Sequence, residues 1–345
     1  MSTRFGSRKA PAMSLDRRVT MAALGLVLLA PMAGCNKSDP PAANTTAARP
    51  AGIAKPTDAT VPASEVARQS RGQLSCPAKV STPARAATAA VDDVMGVRPG
   101  LSYDEAMGTL LCTHELLVAS VEAGRGFTLK AAQANTVRQG FAARMAEDRV
   151  ARSSKQILQD LQRDAMARGG NAVREDLQPG QAKWFVGTMG LPGQERVLSV
   201  AREERFATDQ SPTLETVTAA LLKKYGTPTF GSRPSGTQHP VLRWAYDPQG
   251  RPVAEGSALQ HRCIGSSDPN GGLNLSPDCG LVVQAMLIPL KSNPALVDRM
   301  QVGVVDHAGG YRMIGETEQG LALADQQRRA QEVERAGKNA KTPTL

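Results

Sequence analysis

Asp306 and His307 stand side by side in VVDHAGG, where a carboxylate could orient an imidazole for base catalysis. A nucleophile would have to complete the set, yet neither Gly-x-Ser-x-Gly nor Ser-x-x-Lys occurs anywhere in the chain. The stretch reads instead as a turn built on Gly309 and Gly310. The other histidines, His114, His239 and His261, show no helical ligand spacing. His261, Cys263 and Cys279 offer metal-ligand chemistry, but a disulfide accounts for the same cysteines. Ser266, Asp268 and Asn270 alternate like the oxygen ligands of a calcium loop. Counted from Asp268, however, the sixth residue is Leu273 where glycine is needed, and the twelfth is Cys279 where glutamate is needed. Glu203 and Glu204 are adjacent on an expected strand, so they point to opposite faces and cannot converge on one bond. With no phosphate-binding glycine loop either, no catalytic, cofactor or metal site is picked out.

Five cysteines remain to be explained. Cys35 closes LGLVLLAPMAGC, an apolar run from about Met21 that follows Arg17-Arg18 and spans roughly half the ~20 residues of a membrane helix. A basic start, a short apolar middle and small residues at the end are the plan of a secretory signal. A start at Met13 would give that signal an ordinary length. Met32-Ala33-Gly34-Cys35 resembles the bacterial lipobox. The resemblance implies cleavage before Cys35, a diacylglyceryl group on its thiol and an acyl group on the new amine, with Asn36 permitting passage to the outer membrane. Several buried acyl chains make a firm anchor where one would not. In an exported protein the other four cysteines read as disulfides. Of three possible pairings, Cys263–Cys279 closes a short local loop, and Cys76–Cys112 ties the linker to an early helix.

The chain is 345 residues long, with a net charge of +9 and 3% aromatic residues. Arg4, Arg8, Lys9, Arg17 and Arg18 against Asp16 place +4 in the signal, leaving +5 for the remainder. So mild a charge, with no basic block among aromatics, argues against nucleic acid as a partner.

These residues have to be carried by elements, and the pattern expects an α+β fold, an antiparallel sheet packed with amphipathic helices behind a disordered tether. Residues 1–34 are taken as signal peptide and 35–82 as a Pro/Ala/Thr-rich linker with too little apolar surface to fold. Residues 83–180 are expected to be mainly helical, 181–320 an α+β region, and 321–345 a charged C-terminal helix and tail. Ser102 and Glu105 form a capping box for a helix through about Cys112. Phe127–Lys130 is expected as a short strand. A long polar helix is expected from about Gln133 to Ala167, with Phe141, Met145, Val150, Ile157, Leu158 and Leu161 along a thin stripe. Lys183–Met189 and Arg196–Phe206 read as strands. Leu214, Val217, Leu221, Leu222 and Tyr225 recur on one face of a helix ended by Gly226 and Pro228. Val241–Asp247 turns at Pro248-Gln249-Gly250 and returns through about Val253. Gly280–Leu290 and Val297–Val305 complete the sheet.

The helix openings at Ser102 and Ser211 echo each other. Val97 to Glu105, and Leu221 to Pro228 with Arg243-Trp244-Ala245-Tyr246-Asp247, resemble the SmpA/OmlA (BamE-like) outer-membrane lipoproteins. That resemblance implies two helices on a three-stranded antiparallel sheet, in proteins that assist barrel assembly or inhibit enzymes. The expected function is therefore a non-enzymatic, lipid-anchored outer-membrane protein facing the periplasm, held to the membrane through Cys35. It would bind a periplasmic protein or cell-wall component. A wall hydrolase, or an immunity or inhibitor lipoprotein presenting the Cys263–Cys279 loop, is the alternative. A binding module should show a convex loop or an apolar patch beside Trp184 or Trp244. An enzyme should instead gather histidines or carboxylates in a pocket.

Overall fold

Ser102 accepts the backbone N–H of Glu105, and the Glu105 side chain accepts the N–H of Ser102, so a helix starts where the spacing required. The computed structural model describes residues 60–86, 88–120, 127–150, 155–156, 158–159, 177–232, 239–341 and 343–344. The signal peptide, Cys35 and the first part of the expected tether lie outside them. The chain opens with β1 (Thr60–Val61) and α1 (Ala63–Arg71), then α2 (Tyr103–Leu111), β2 (Leu117–Ser120), β3 (Gly140–Met145) and β4 (Arg149–Val150). There follow β5 (Ala182–Met189), β6 (Arg196–Arg205), α3 (Leu214–Tyr225), β7 (Phe230–Ser232), β8 (Val241–Ala245), β9 (Leu281–Leu290), β10 (Asn293–Asp306) and α4 (His307–Asn339).

Eight strands make one antiparallel sheet in the order β2-β3-β5-β6-β10-β9-β8-β7, and β1 pairs with β4 beside it. Among the described residues the fold is thus α+β, with the four helices named above and an eight-stranded antiparallel sheet. The strand order has an internal logic. Each half runs helix, then strands, α2-β2-β3-β5-β6 and α3-β7-β8-β9-β10, and the two halves join by their last strands. Their helix entries match as well. The carbonyl of Leu101 receives Val197 N–H at 2.8 Å, and that of Pro212 receives Val297 N–H at 2.9 Å. Arg202 pairs with Val302 at the pseudo-twofold axis. Each half carries one helix on four strands, rather than the two helices on three strands implied by the SmpA/OmlA resemblance.

One face of the sheet presents Phe141, Trp184, Val186, Val200, Val302, Val304, Val283 and Trp244 to α2 and α3, forming the main core. The register places Lys183, Glu203 and Gln301 in one cross-strand row of the other face. There α4 packs through Leu321 on Met189 and Leu198, while Cys263 and Cys279 pack on Ala245 and Val282.

Several expectations are corrected. The linker ends earlier than expected, because α1 and the chain around Ser81 fold onto α2. Arg71 donates to the carbonyls of Leu111 and Glu115, and Ala67 is buried. The described residues of region 83–180 are not mainly helical. Phe141, read as part of a helical stripe, alternates inward on β3 together with Ala143. Of the remaining helix, only 155–156 and 158–159 are described, and they are helical. Phe127–Lys130 forms no strand; Phe127 and Leu129 pack beside Leu321, and Lys130 N–H meets Glu318 at 3.1 Å. The return after Gly250 is a single bridge, Tyr246 with Pro252. Residues 306–310 are a helix start: Asp306 accepts Gly309 N–H at 3.0 Å, and α4 runs 33 residues from there.

Candidate functional site

The residues singled out for chemistry are spent on structure. His307 is fully buried, its Nδ1 accepting Ser276 N–H at 3.3 Å, and burial holds its pKa below the usual imidazole value. Asp306 caps α4 rather than orienting His307. His114 Nδ1 accepts Leu116 N–H at 3.1 Å, while His239 and His261 lie exposed. Glu203 and Glu204 do face opposite ways. Glu203 is buried near Lys183 at 3.4 Å and Arg299 at 3.7 Å, whereas Glu204 meets Arg202. Asp268 Oδ1 accepts Asn270 N–H at 2.9 Å, turning the loop back on itself. Among the described residues, no group of three His, Cys, Asp or Glu is placed to hold a metal, and no helix is long and apolar enough to cross a membrane.

Cys76 lies at disulfide distance from Cys112 and Cys263 from Cys279, with Cα separations of 5.5 and 5.4 Å. The second loop is not a free finger. Both its cysteines, Ser267 and Pro269 are buried, and Ser266 lies so close to Gly303 that a Cβ there would sit 1.9 Å from the Ser266 carbonyl oxygen.

The open chemistry lies on the opposite face, at the seam between the halves. Eight strands about 4.8 Å apart span roughly 34 Å, whereas a helix with its side chains covers about 10–12 Å. Two helices therefore leave the middle of the face uncovered. A turn partly fills it: Val94 and Val97 exchange hydrogen bonds of 2.9 and 3.1 Å, and Asp93 fastens the turn to α3. Tyr225 OH donates to the Asp93 carbonyl at 2.9 Å, and Lys224 Nζ reaches the Asp93 carboxylate at 2.8 Å. Between this turn and α3 remains a cleft of about 370 Å³. Its floor is Arg202 and Glu204 of β6 beside Val302 and Met300 of β10, which pair directly across the seam. Val217, Ala220 and Leu221 of α3 form one wall, and Phe206 and Pro212 close one side. Exposed Met95 stands among the lining residues.

Arg202 gives the cleft its polarity. Its Nη2 meets Glu204 Oε2 at 2.7 Å, and its guanidinium lies 5.4 Å from the Trp184 ring centre. Arg202 Nε and Trp184 Nε1 are both buried with no hydrogen-bond partner. On the far side, the Tyr225 ring packs against Trp244 with centroids 5.2 Å apart. Burial, reinforced by Asp93, pushes the Tyr225 phenol well above its ordinary pKa, so it stays protonated and serves as a donor. A wall of aliphatic side chains around one arginine–glutamate pair is equipped to bind, and the described lining holds no histidine or second carboxylate. Both tryptophans are buried, and neither lines the cleft; each packs against a residue that does, Trp184 against Arg202 and Trp244 against Tyr225.

Sequence reasoning did not find this site. The available signal was the run Val200, Arg202, Glu204: two charges at alternate positions on the face that Val200 buries. No family model matches the chain, and neither a curated protein nor a solved structure matches it.

Proposed function

We propose that this chain is a non-enzymatic, lipid-anchored binding protein of the bacterial envelope, and that it takes up part of a periplasmic protein or cell-wall component in the seam cleft. The observation that carries the reading is the cleft itself, apolar walls meeting a half-buried arginine where two similar halves join. Small sites of this kind are typically apolar with a few convergent polar groups. The two cysteine pairs at bonding distance are in keeping with an oxidising compartment. Met32-Ala33-Gly34-Cys35 supplies the anchor in this reading, and outer-membrane placement follows from Asn36 by the same resemblance.

A photo-crosslinking amino acid at Met95, irradiated in intact envelopes, tests the binding role. Recovery of one dominant adduct, lost when Ala220→Phe fills the cleft, is the expected result. Adducts unchanged by that substitution would overturn it. Mass spectrometry of the native N-terminus tests the anchor separately, and an unacylated terminus would remove it.

A further inference from the structure

We infer that the seam cleft receives a single aliphatic chain ending in a carboxylate, with the chain along α3 and the carboxylate at Arg202; this rests on the reading of the cleft as the binding site. Three observations converge. The walls contributed by Val217, Leu221, Phe206 and Met300 are aliphatic or aromatic, and the volume of about 370 Å³ falls at the small end of the range for small-molecule sites. Such a space suits a slender apolar group rather than a folded loop of a partner.

The second observation concerns hydrogen bonds. Arg202 lines the cleft and buries an Nε–H that finds no acceptor, as does its direct cross-strand partner Trp184, which is not part of the lining. Buried donors are rarely left unmet, because an unmade bond costs about 1–3 kcal/mol. The unmet Arg202 donor at the cleft floor calls for an oxygen that no described residue provides. Glu204 takes only Nη2 of the guanidinium. Arginine also presents its donors as a planar fork that matches carboxylate geometry.

The third is asymmetry. Of the two cations lining the cleft, Lys224 is paired with Asp93 at 2.8 Å, whereas Arg202 meets Glu204 through Nη2 and keeps its Nε unmet. At the pseudo-twofold position Arg202 faces Val302, so the cation belongs to one half only. An asymmetric ligand, polar at one end and apolar at the other, fits an asymmetric floor.

The chain's two tryptophans, Trp184 against Arg202 and Trp244 against Tyr225, flank the cleft and report on it without a label. The full chain carrying Cys35→Ser, which prevents acylation, is titrated with dodecanoate and with 1-dodecanol below micelle-forming concentrations while tryptophan fluorescence is read. The expected result is a saturable change with dodecanoate binding at least tenfold tighter than dodecanol. Arg202→Met brings dodecanoate down to the dodecanol level, and Ala220→Phe, at an exposed position, removes both. Absence of saturation, equal affinity for acid and alcohol in the unsubstituted cleft, or indifference to Ala220→Phe would each overturn the inference. If the titration fails while the Met95 crosslink still captures an adduct sensitive to Ala220→Phe, the ligand class is wrong and the cleft remains a binding site. If both fail, the cleft reading falls with it.

Discussion

Five donors converge on the carboxylate of Glu105: Ser102 N–H, the N–H and hydroxyl of Ser81, and the N–H and hydroxyl of Thr82, at 2.5 to 2.9 Å. Burial alone would raise the pKa of this carboxyl, but the hydrogen bonds from Thr82, Ser102 and Ser81 outweigh it and hold the group far below the usual glutamate range. A carboxylate with a depressed folded pKa stabilises the protein fully above about pH 4.3, and that contribution is lost as pH falls further toward the folded value. His307 has the opposite chemistry and the same consequence: buried and resisting protonation, it costs stability as pH drops below about 6.5. Thermal melts of Glu105→Gln should show a loss of about 2 kcal/mol at pH 7 and a flatter acid limb below about pH 4.3. Gly303→Ala should be worse than that, since its methyl group would collide with the Ser266 carbonyl; urea unfolding should show a loss of about 3 kcal/mol or an altered 263–279 loop. The Ser102–Glu105 pair was legible because its spacing is local. Ser81 and Thr82, more than twenty residues away, announce nothing in sequence, and neither did the closeness of Gly303 to the loop.

Among elements, the clearest reading was α3, where Thr213 caps the start, Val217, Leu221 and Tyr225 face inward, and Gly226 follows the end. β5, β6, β9 and β10 were legible for the same reason, since apolar runs bounded by Gly and Pro have few alternatives. β3 was not. Phe141 and Met145 are four apart, which suits a helix, while Phe141, Ala143 and Met145 suit a strand. Only the pairing with Trp184 and Val186 decides between them. The start of α4 was hidden because Gly309-Gly310 looks like a stop. In the fold, Gly309 lies against the carboxylate of Asp306, where a Cβ would come within 2.2 Å. From Gln326 onward α4 is exposed, and it is braced by pairs such as Arg328–Glu332 and Lys338–Glu334, which contribute little at so exposed a surface. Ending the chain after Asp325 should therefore leave the melting temperature of the remainder within about 2 °C, as differential scanning calorimetry would show.

At the scale of the whole molecule, the two halves meet along one strand pairing, from Arg299 with Arg205 to Val305 with Ser199. The echo between two capped helices was visible in the sequence, but the shared strand order behind it was not, because β2 and β3 carried no clear period. The seam cleft was invisible for a related reason: it arises from what two helices fail to cover. Cys76–Cys112 joins the N-terminal strap to the end of α2 and closes a loop whose constraint is worth about 4 kcal/mol on the chain-entropy model. Cys112→Ser should let a protease cut within residues 60–75 while the sheet stays intact, with fragments identified by mass spectrometry. A digestion pattern unchanged by the substitution would show that Arg71 and Glu105 hold the strap unaided.

The same crosslink sets how the body meets a pull on its N-terminal side. β1 and α1 would peel away first, being short and held by few bonds, and would spool out about 55 Å of slack at ~3.4 Å per residue. The line then comes taut at Cys76, and the load passes through sulfur to Cys112, which follows the C-terminal end of α2 and lies outside the seam pairing. Strain of that kind is shed by a sacrificial leader and stopped by a covalent knot, so the cleft keeps its shape while the chain ahead of it stretches.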